Sequence, residues 1–111
     1  MKKISVILSA FSLIATANAT PVVIADGSTI AAMGNSHKNE RNFFVNVKGG
    51  DTSCTVITFP LADAGKAGND EGIHARAYSA ALAAFTAGKR VVITNFKNDS
   101  CDNASKIKLV N

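Results

Sequence analysis

The side chains most able to do chemistry are two cysteines, Cys54 and Cys101, in a chain of 111 residues. These two can pair only with each other, within one chain or between chains. A redox-active pair is usually close in sequence, as in C-x-x-C, and a metal site would need further ligands at fixed spacing. The pair is therefore predicted to form a structural disulfide.

The two histidines, His37 and His74, give no metal-site spacing such as H-x-x-x-H. Asp70 and Glu71 precede His74 closely and could hold a metal weakly. Capping of a helix start by these acidic residues is the simpler interpretation. We predict no metal ion and no cofactor.

Nucleophilic catalysis has no evident carrier in this sequence. There is no G-x-S-x-G motif, and both cysteines are assigned to the disulfide. The segment Gly65-Lys66-Ala67-Gly68 lacks the earlier glycine and the Ser or Thr of a phosphate-binding loop. The chain is predicted not to be an enzyme.

Residues 1–19 have the pattern of a signal peptide. Lys2 and Lys3 precede the apolar run 4–14, and Ala17 and Ala19 place small side chains before the expected cleavage site after Ala19. The apolar run is too short to span a bilayer, which takes roughly 20 residues. We expect a single domain over residues 20–111, exported to the periplasm or secreted, where an oxidising environment favours the disulfide.

The charge pattern argues against a nucleic-acid partner. Without Lys2 and Lys3 the chain keeps ten basic and eight acidic side chains, and the basic ones are dispersed. Lys106 and Lys108 share one face of a predicted strand, which is typical of ordinary solvated charge. No later segment is apolar enough for a membrane span.

Alternating and helical hydrophobic patterns define the elements of the domain. Strands are predicted over 22–33 (broken or bent at Gly27), 43–47, 54–59, 90–96 and 106–110, with one helix over 73–87. Asn69 or Asp70 is expected to cap the helix, and Gly88 to end it.

The helix is expected to pack on the sheet through one apolar stripe, formed by Tyr78, Ala81, Leu82 and Phe85. Its many alanines leave a smooth second side. They are there either because alanine is the best helix former or because another helix or subunit approaches closely.

The resulting order, β-β-β-α-β-β, predicts an α+β fold: a small, OB-like, five-stranded, partly open barrel with one disulfide and its helix between strands three and four. A ferredoxin-like fold would need a second helix, for which no segment remains.

The C-terminal part of the chain resembles a known family. It combines Cys54 in a strand, the run Tyr78-Ser79-Ala80-Ala81-Leu82-Ala83-Ala84-Phe85-Thr86-Ala87-Gly88-Lys89-Arg90-Val91-Val92-Ile93, and Cys101 before a last strand. This pattern, from about Cys54 to Val110, resembles the receptor-binding B subunits of AB5 bacterial toxins of the subtilase-cytotoxin and pertussis-like branch.

The resemblance implies an exported OB-type domain that assembles as a ring of five copies, a homo-pentamer. Such a ring binds sialylated or related glycan receptors and carries a toxin A subunit. The alternative is a monomeric periplasmic or secreted domain that binds or inhibits another protein.

No glycan-binding residue carries over from that family. The chain has a single tyrosine and no tryptophan, and Tyr78 is assigned to the buried stripe. The ligand site is instead predicted in the polar loop, at Ser36, His37, Lys38 and Asn39 together with Arg41.

Overall fold

The computed structural model describes residues 21–35, 41–61 and 70–111. The predicted signal peptide, 1–19, and the predicted site residues Ser36, His37, Lys38 and Asn39 lie outside these ranges. Within them the elements are β1 (Val22–Asn35), β2 (Phe43–Lys48), β3 (Asp51–Thr52), β4 (Val56–Phe59), α1 (Glu71–Ala87), β5 (Arg90–Asn95) and β6 (Ala104–Val110). The predicted α+β class and the place of the helix are confirmed. The described part has six strands rather than five, because the two-residue β3 is too short to give a hydrophobic pattern.

The strands form one sheet in the order β4-β2-β1-β5-β6, with β3 also paired to β1. Every described strand pair is antiparallel. The 14-residue β1 pairs with β5 over its first half and with β2 over its second half. Register shifts between Asp26 and Ser28 accompany the positive φ of Gly27, 79°. The bend predicted at Gly27 is therefore present as a bulge in one continuous strand.

A glycine turn packs directly against this bulge. Gly49 and Gly50, between β2 and β3, have φ values of 71° and 67°. A Cβ atom at Gly50 would lie 2.6 Å from the carbonyl oxygen of Asp26 and 2.6 Å from the amide nitrogen of Ser28. The buried Ser28 hydroxyl donates to the Gly49 carbonyl over 2.7 Å. Only glycine at position 50 lets the two backbones come this close.

The core lies between the sheet and one side of α1. Phe43 and Phe59, paired across β2 and β4, stack with their ring centroids 4.6 Å apart. The buried helix residues are Ala77, Ala81 and Ala84. Because these side chains are small, the helix backbone lies close to the sheet and the phenylalanine rings fill the interior.

The predicted helix stripe is wrong for three of its four residues. Ala81 is buried, but Tyr78, Leu82 and Phe85 are 44%, 45% and 41% exposed. The chain's own sheet is what packs closely against the small alanine side chains of the helix. The larger apolar residues are displaced to the flank of the helix.

The helix begins and ends at the predicted caps. The Asp70 carboxylate accepts a hydrogen bond from the Ile73 amide over 2.8 Å, so the helix starts two residues earlier than predicted, at Glu71. Gly88 is left-handed, with φ 67° and ψ 30°, and the Lys89 amide donates to the Ala84 carbonyl over 3.0 Å.

The predicted disulfide, Cys54–Cys101, is present within the chain and spans 47 residues. It joins Cys54, which lies between β3 and β4 rather than in a strand as predicted, to the loop that precedes β6. A second link lies beside it, because the Thr58 amide of β4 donates to the Cys101 carbonyl over 2.9 Å. The two ends of the sheet are thus connected through this loop.

The fully buried Asn95 shapes the same loop. Its Oδ1 accepts from the amides of Lys97 and Asn98 over 2.7 and 2.9 Å. Its Nδ2 donates to the Ser100 carbonyl over 2.6 Å. The Asn95 side chain therefore provides hydrogen-bond partners for loop backbone groups that do not pair within the sheet. In this way it sets the position of Cys101.

Candidate functional site

A surface cleft of about 350 Å³ opens where the end of β1, the start of β2 and the first two turns of α1 meet. Its volume falls within the range of roughly 300–1,000 Å³ that is usual for ligand sites. The lining combines apolar and polar side chains around one exposed aromatic ring: Met33, Gly34, Asn35, Arg41, Asn42, Phe43, His74 and Tyr78.

Tyr78 is held in this cleft by the core. Its ring meets that of Phe43 in a T-shaped arrangement, with centroids 5.2 Å apart and planes at 86°. Phe43 in turn is stacked on Phe59. Tyr78 therefore packs on the core on one side, while nearly half of the residue's surface faces solvent.

His74 lies one helical turn before Tyr78. Its Nε2 is 3.1 Å from the carbonyl oxygen of Phe59, and its ring meets Phe43 edge-on with centroids 5.2 Å apart. A carbonyl can only accept, so the neutral imidazole carries its proton on Nε2 and Nδ1 is a hydrogen-bond acceptor. The ring is thereby fixed in orientation and in tautomer.

An exposed ion pair forms part of the rim. The Arg41 guanidinium donates to the Glu71 carboxylate over 2.8 Å, and both side chains are mostly in solvent. A pair this exposed adds little to stability. It does link the chain segment before β2 to the first turn of α1, beside the cleft that Arg41 lines.

A second cleft, of about 420 Å³, lies at β3 and is lined by three carboxylates, those of Asp26, Asp51 and Asp99. It has no aromatic side chain. Among the residues described, no group of three or more His, Cys, Asp or Glu side chains is arranged to hold a metal ion. The Tyr78 cleft is therefore the better candidate for a ligand site.

Of the predicted site residues, only Arg41 falls in the described ranges, and it lines the Tyr78 cleft. Asn42, Phe43, His74 and Tyr78 were missed. The spacing of His74 and Tyr78, one turn apart on a helix face, is the signal that could have found the site. The helical periodicity obscures this signal, because it predicts Tyr78 in the buried stripe.

No helix in the described ranges has the length and apolar character required to cross a membrane.

Comparison with known proteins gives a family and no function. No curated protein and no solved structure gives a significant match to the chain. The family model of DUF5992, a family of unknown function, matches residues 3–111, and the chain therefore belongs to that family.

Proposed function

We propose that this protein is an exported glycan-binding module whose binding site is the Tyr78 cleft. The observation that carries the proposal is Tyr78 itself: a residue that is 44% exposed and whose ring packs on Phe43, in a cleft lined by both apolar and polar side chains. Sugar rings present an apolar C–H face, which packs on an aromatic ring, and a rim of hydroxyl groups, which require hydrogen-bond partners.

The polar side chains around Tyr78 suit such hydroxyl groups. Arg41 offers donors only, Asn42 offers both donors and an acceptor, and His74 offers an acceptor at Nδ1. A mixed set of donors and acceptors favours a ligand with hydroxyl groups, because each hydroxyl group can both donate and accept a hydrogen bond. The Met33 and Phe43 side chains supply the apolar part of the cleft.

The architecture is in keeping with a partly open barrel of the OB type, which we include in the proposal. β1 is shared between two halves of the sheet, and the link from Thr58 to Cys101 connects β4 to the loop before β6. OB-type proteins bind oligonucleotides and oligosaccharides, and the dispersed basic side chains of this chain favour the second.

Assembly into a ring, as in toxin B subunits, is a further part of the proposal. It would use the outer edge of β6 and the part of the β4 edge that the hydrogen bond from Thr58 to Cys101 leaves open. Light scattering of the oxidised residues 20–111 should then give a mass of about five protomers. A monomer at tens of micromolar would overturn the proposed ring and leave the proposed binding site in the cleft unaffected.

A glycan array probed with the oxidised protein tests the function directly. We expect binding to a restricted set of glycans, and loss of that binding in Y78A. Y78F, which keeps the ring, should bind the same set. V56A is the control, because Val56 is an exposed apolar residue on β4 outside the cleft. Absence of any glycan bound above background would overturn the proposal.

A further inference from the structure

The Tyr78 cleft continues into an uncharged apolar ridge on α1. Tyr78, Leu82 and Phe85 are spaced i, i+4 and i+7, so their side chains follow one another along the helix. They are 44%, 45% and 41% exposed. No charged residue occurs between Ala77 and Ala87. These three neighbouring side chains therefore leave apolar surface open to a ligand along this side of the helix.

The ridge lies on the flank of the helix rather than on its outermost side. At about 100° per residue, Tyr78, Leu82 and Phe85 lie about 90° around the helix from the buried alanines. The residues opposite the buried alanines include Ser79 and Thr86, both polar. A flat partner surface placed on α1 would meet these polar residues first, whereas a slender group could lie along the flank.

From Tyr78 to Phe85 the helix rises by about 10 Å. That length is comparable to an extended octyl chain. Because Tyr78 belongs both to the cleft and to the ridge, a ligand seated in the cleft can extend onto Leu82 and Phe85 without crossing a charged side chain.

We propose that the ligand of this site is amphiphilic: a hydroxylated head group occupies the cleft and an apolar chain lies along Leu82 and Phe85. This inference rests on the proposed function and names its ligand class, a glycolipid or an alkyl- or aryl-substituted sugar. The polar rim at Arg41, Asn42 and His74 receives the head group. The ridge removes the chain from water.

Two probes that differ only in their chain separate the two parts of the site. Methyl β-D-glucopyranoside and octyl β-D-glucopyranoside are titrated into the oxidised protein by calorimetry, the octyl compound below its micelle concentration. The octyl compound should bind at least tenfold more tightly, because several methylenes leave water. In L82S this advantage should fall to less than threefold, while the affinity for the methyl compound is unchanged.

V56S is the matched control, because it also replaces an exposed apolar residue by serine but lies away from the ridge. It should keep the full octyl advantage. Failure of the octyl compound to bind, equal binding of the two compounds to the unmodified protein, or an octyl advantage that survives L82S would overturn the inference and leave the sugar site to be decided by the glycan array. Octyl binding that survives Y78A and is lost in L82S would overturn the sugar site instead.

Self-association through the ridge is a separate outcome of the same variants. If L82S converts an oligomer to a monomer, a second copy of the chain covers the ridge and the inference is overturned. A ring held by the sheet edges would keep its mass in L82S.

Discussion

Phe43 supports Tyr78: the two rings meet at 86° with centroids 5.2 Å apart, and the buried Phe43 ring also stacks on Phe59. The exposed aromatic residue of the cleft is thus held by the most buried aromatic pair of the core. The site depends on the interior of the domain for its geometry.

Replacing Phe43 by alanine should therefore affect both stability and the site. We expect F43A to lower the free energy of unfolding by about 3–5 kcal/mol, the range found for large aromatic deletions in cores. F85A deletes an equally large but exposed side chain and should change it by no more than about 0.5 kcal/mol. Urea unfolding followed by circular dichroism measures both. Equal losses in the two variants would contradict the assigned burial.

The turn at Gly49 and Gly50 offers a closely matched pair of substitutions. Both residues have positive φ, so alanine at either should cost about 1–2 kcal/mol of stability from backbone strain. At Gly50 the added Cβ also meets the backbone of β1 at 2.6 Å, whereas at Gly49 it meets nothing within 4 Å. G50A should therefore be less stable than G49A by a further 1–3 kcal/mol or so. Equal unfolding midpoints would refute the close approach to β1.

Loss of the Cys54–Cys101 disulfide should cost about 4 kcal/mol, the chain-entropy value for a loop of this length. For a domain this small, that is a large part of the whole stability. The double variant C54S/C101S, compared with the oxidised protein in urea, gives the difference. A midpoint that is unchanged by the double substitution and by reductant would show that the disulfide is not a structural one.

The buried Asn95 side chain should contribute to the free energy of unfolding through its hydrogen bonds to the loop. In N95A the amides of Lys97 and Asn98 and the carbonyl of Ser100 lose their partner, and we expect about 1–3 kcal/mol of destabilisation. Hydrogen exchange should rise at the Lys97 and Asn98 amides before it rises in β1. Unchanged protection of these two amides would contradict the role assigned to the side chain.

Much of the fold could be predicted because its signals are local. The Asp70 cap, the Gly88 stop and the alternation in β2 each depend on a few neighbouring residues. The disulfide followed from there being only two cysteines. The short β3 has no such signal, since its pairing with β1 is set by the Gly50 turn.

The face that α1 presents to the sheet could not be predicted from the helix alone. Both the alanine side and the Tyr78, Leu82, Phe85 side are apolar, so the periodicity fits either orientation. Which side of the helix faces the sheet depends on how much of the interior the Phe43 and Phe59 rings fill. These two residues lie outside the helix sequence. Because the candidate site follows from this orientation, most of it was missed as well.

The most direct test of the central claim is the affinity of Y78A and Y78F for the glycan that the unmodified protein binds most tightly on the array, measured by calorimetry. Both variants must first unfold at nearly the same midpoint as the unmodified protein, as expected for substitutions at an exposed position. The account predicts that Y78A loses at least tenfold in affinity while Y78F stays within about threefold, since the ring face makes the contact. Glycan binding by Y78A at the unmodified affinity would contradict the claim that this cleft is the binding site.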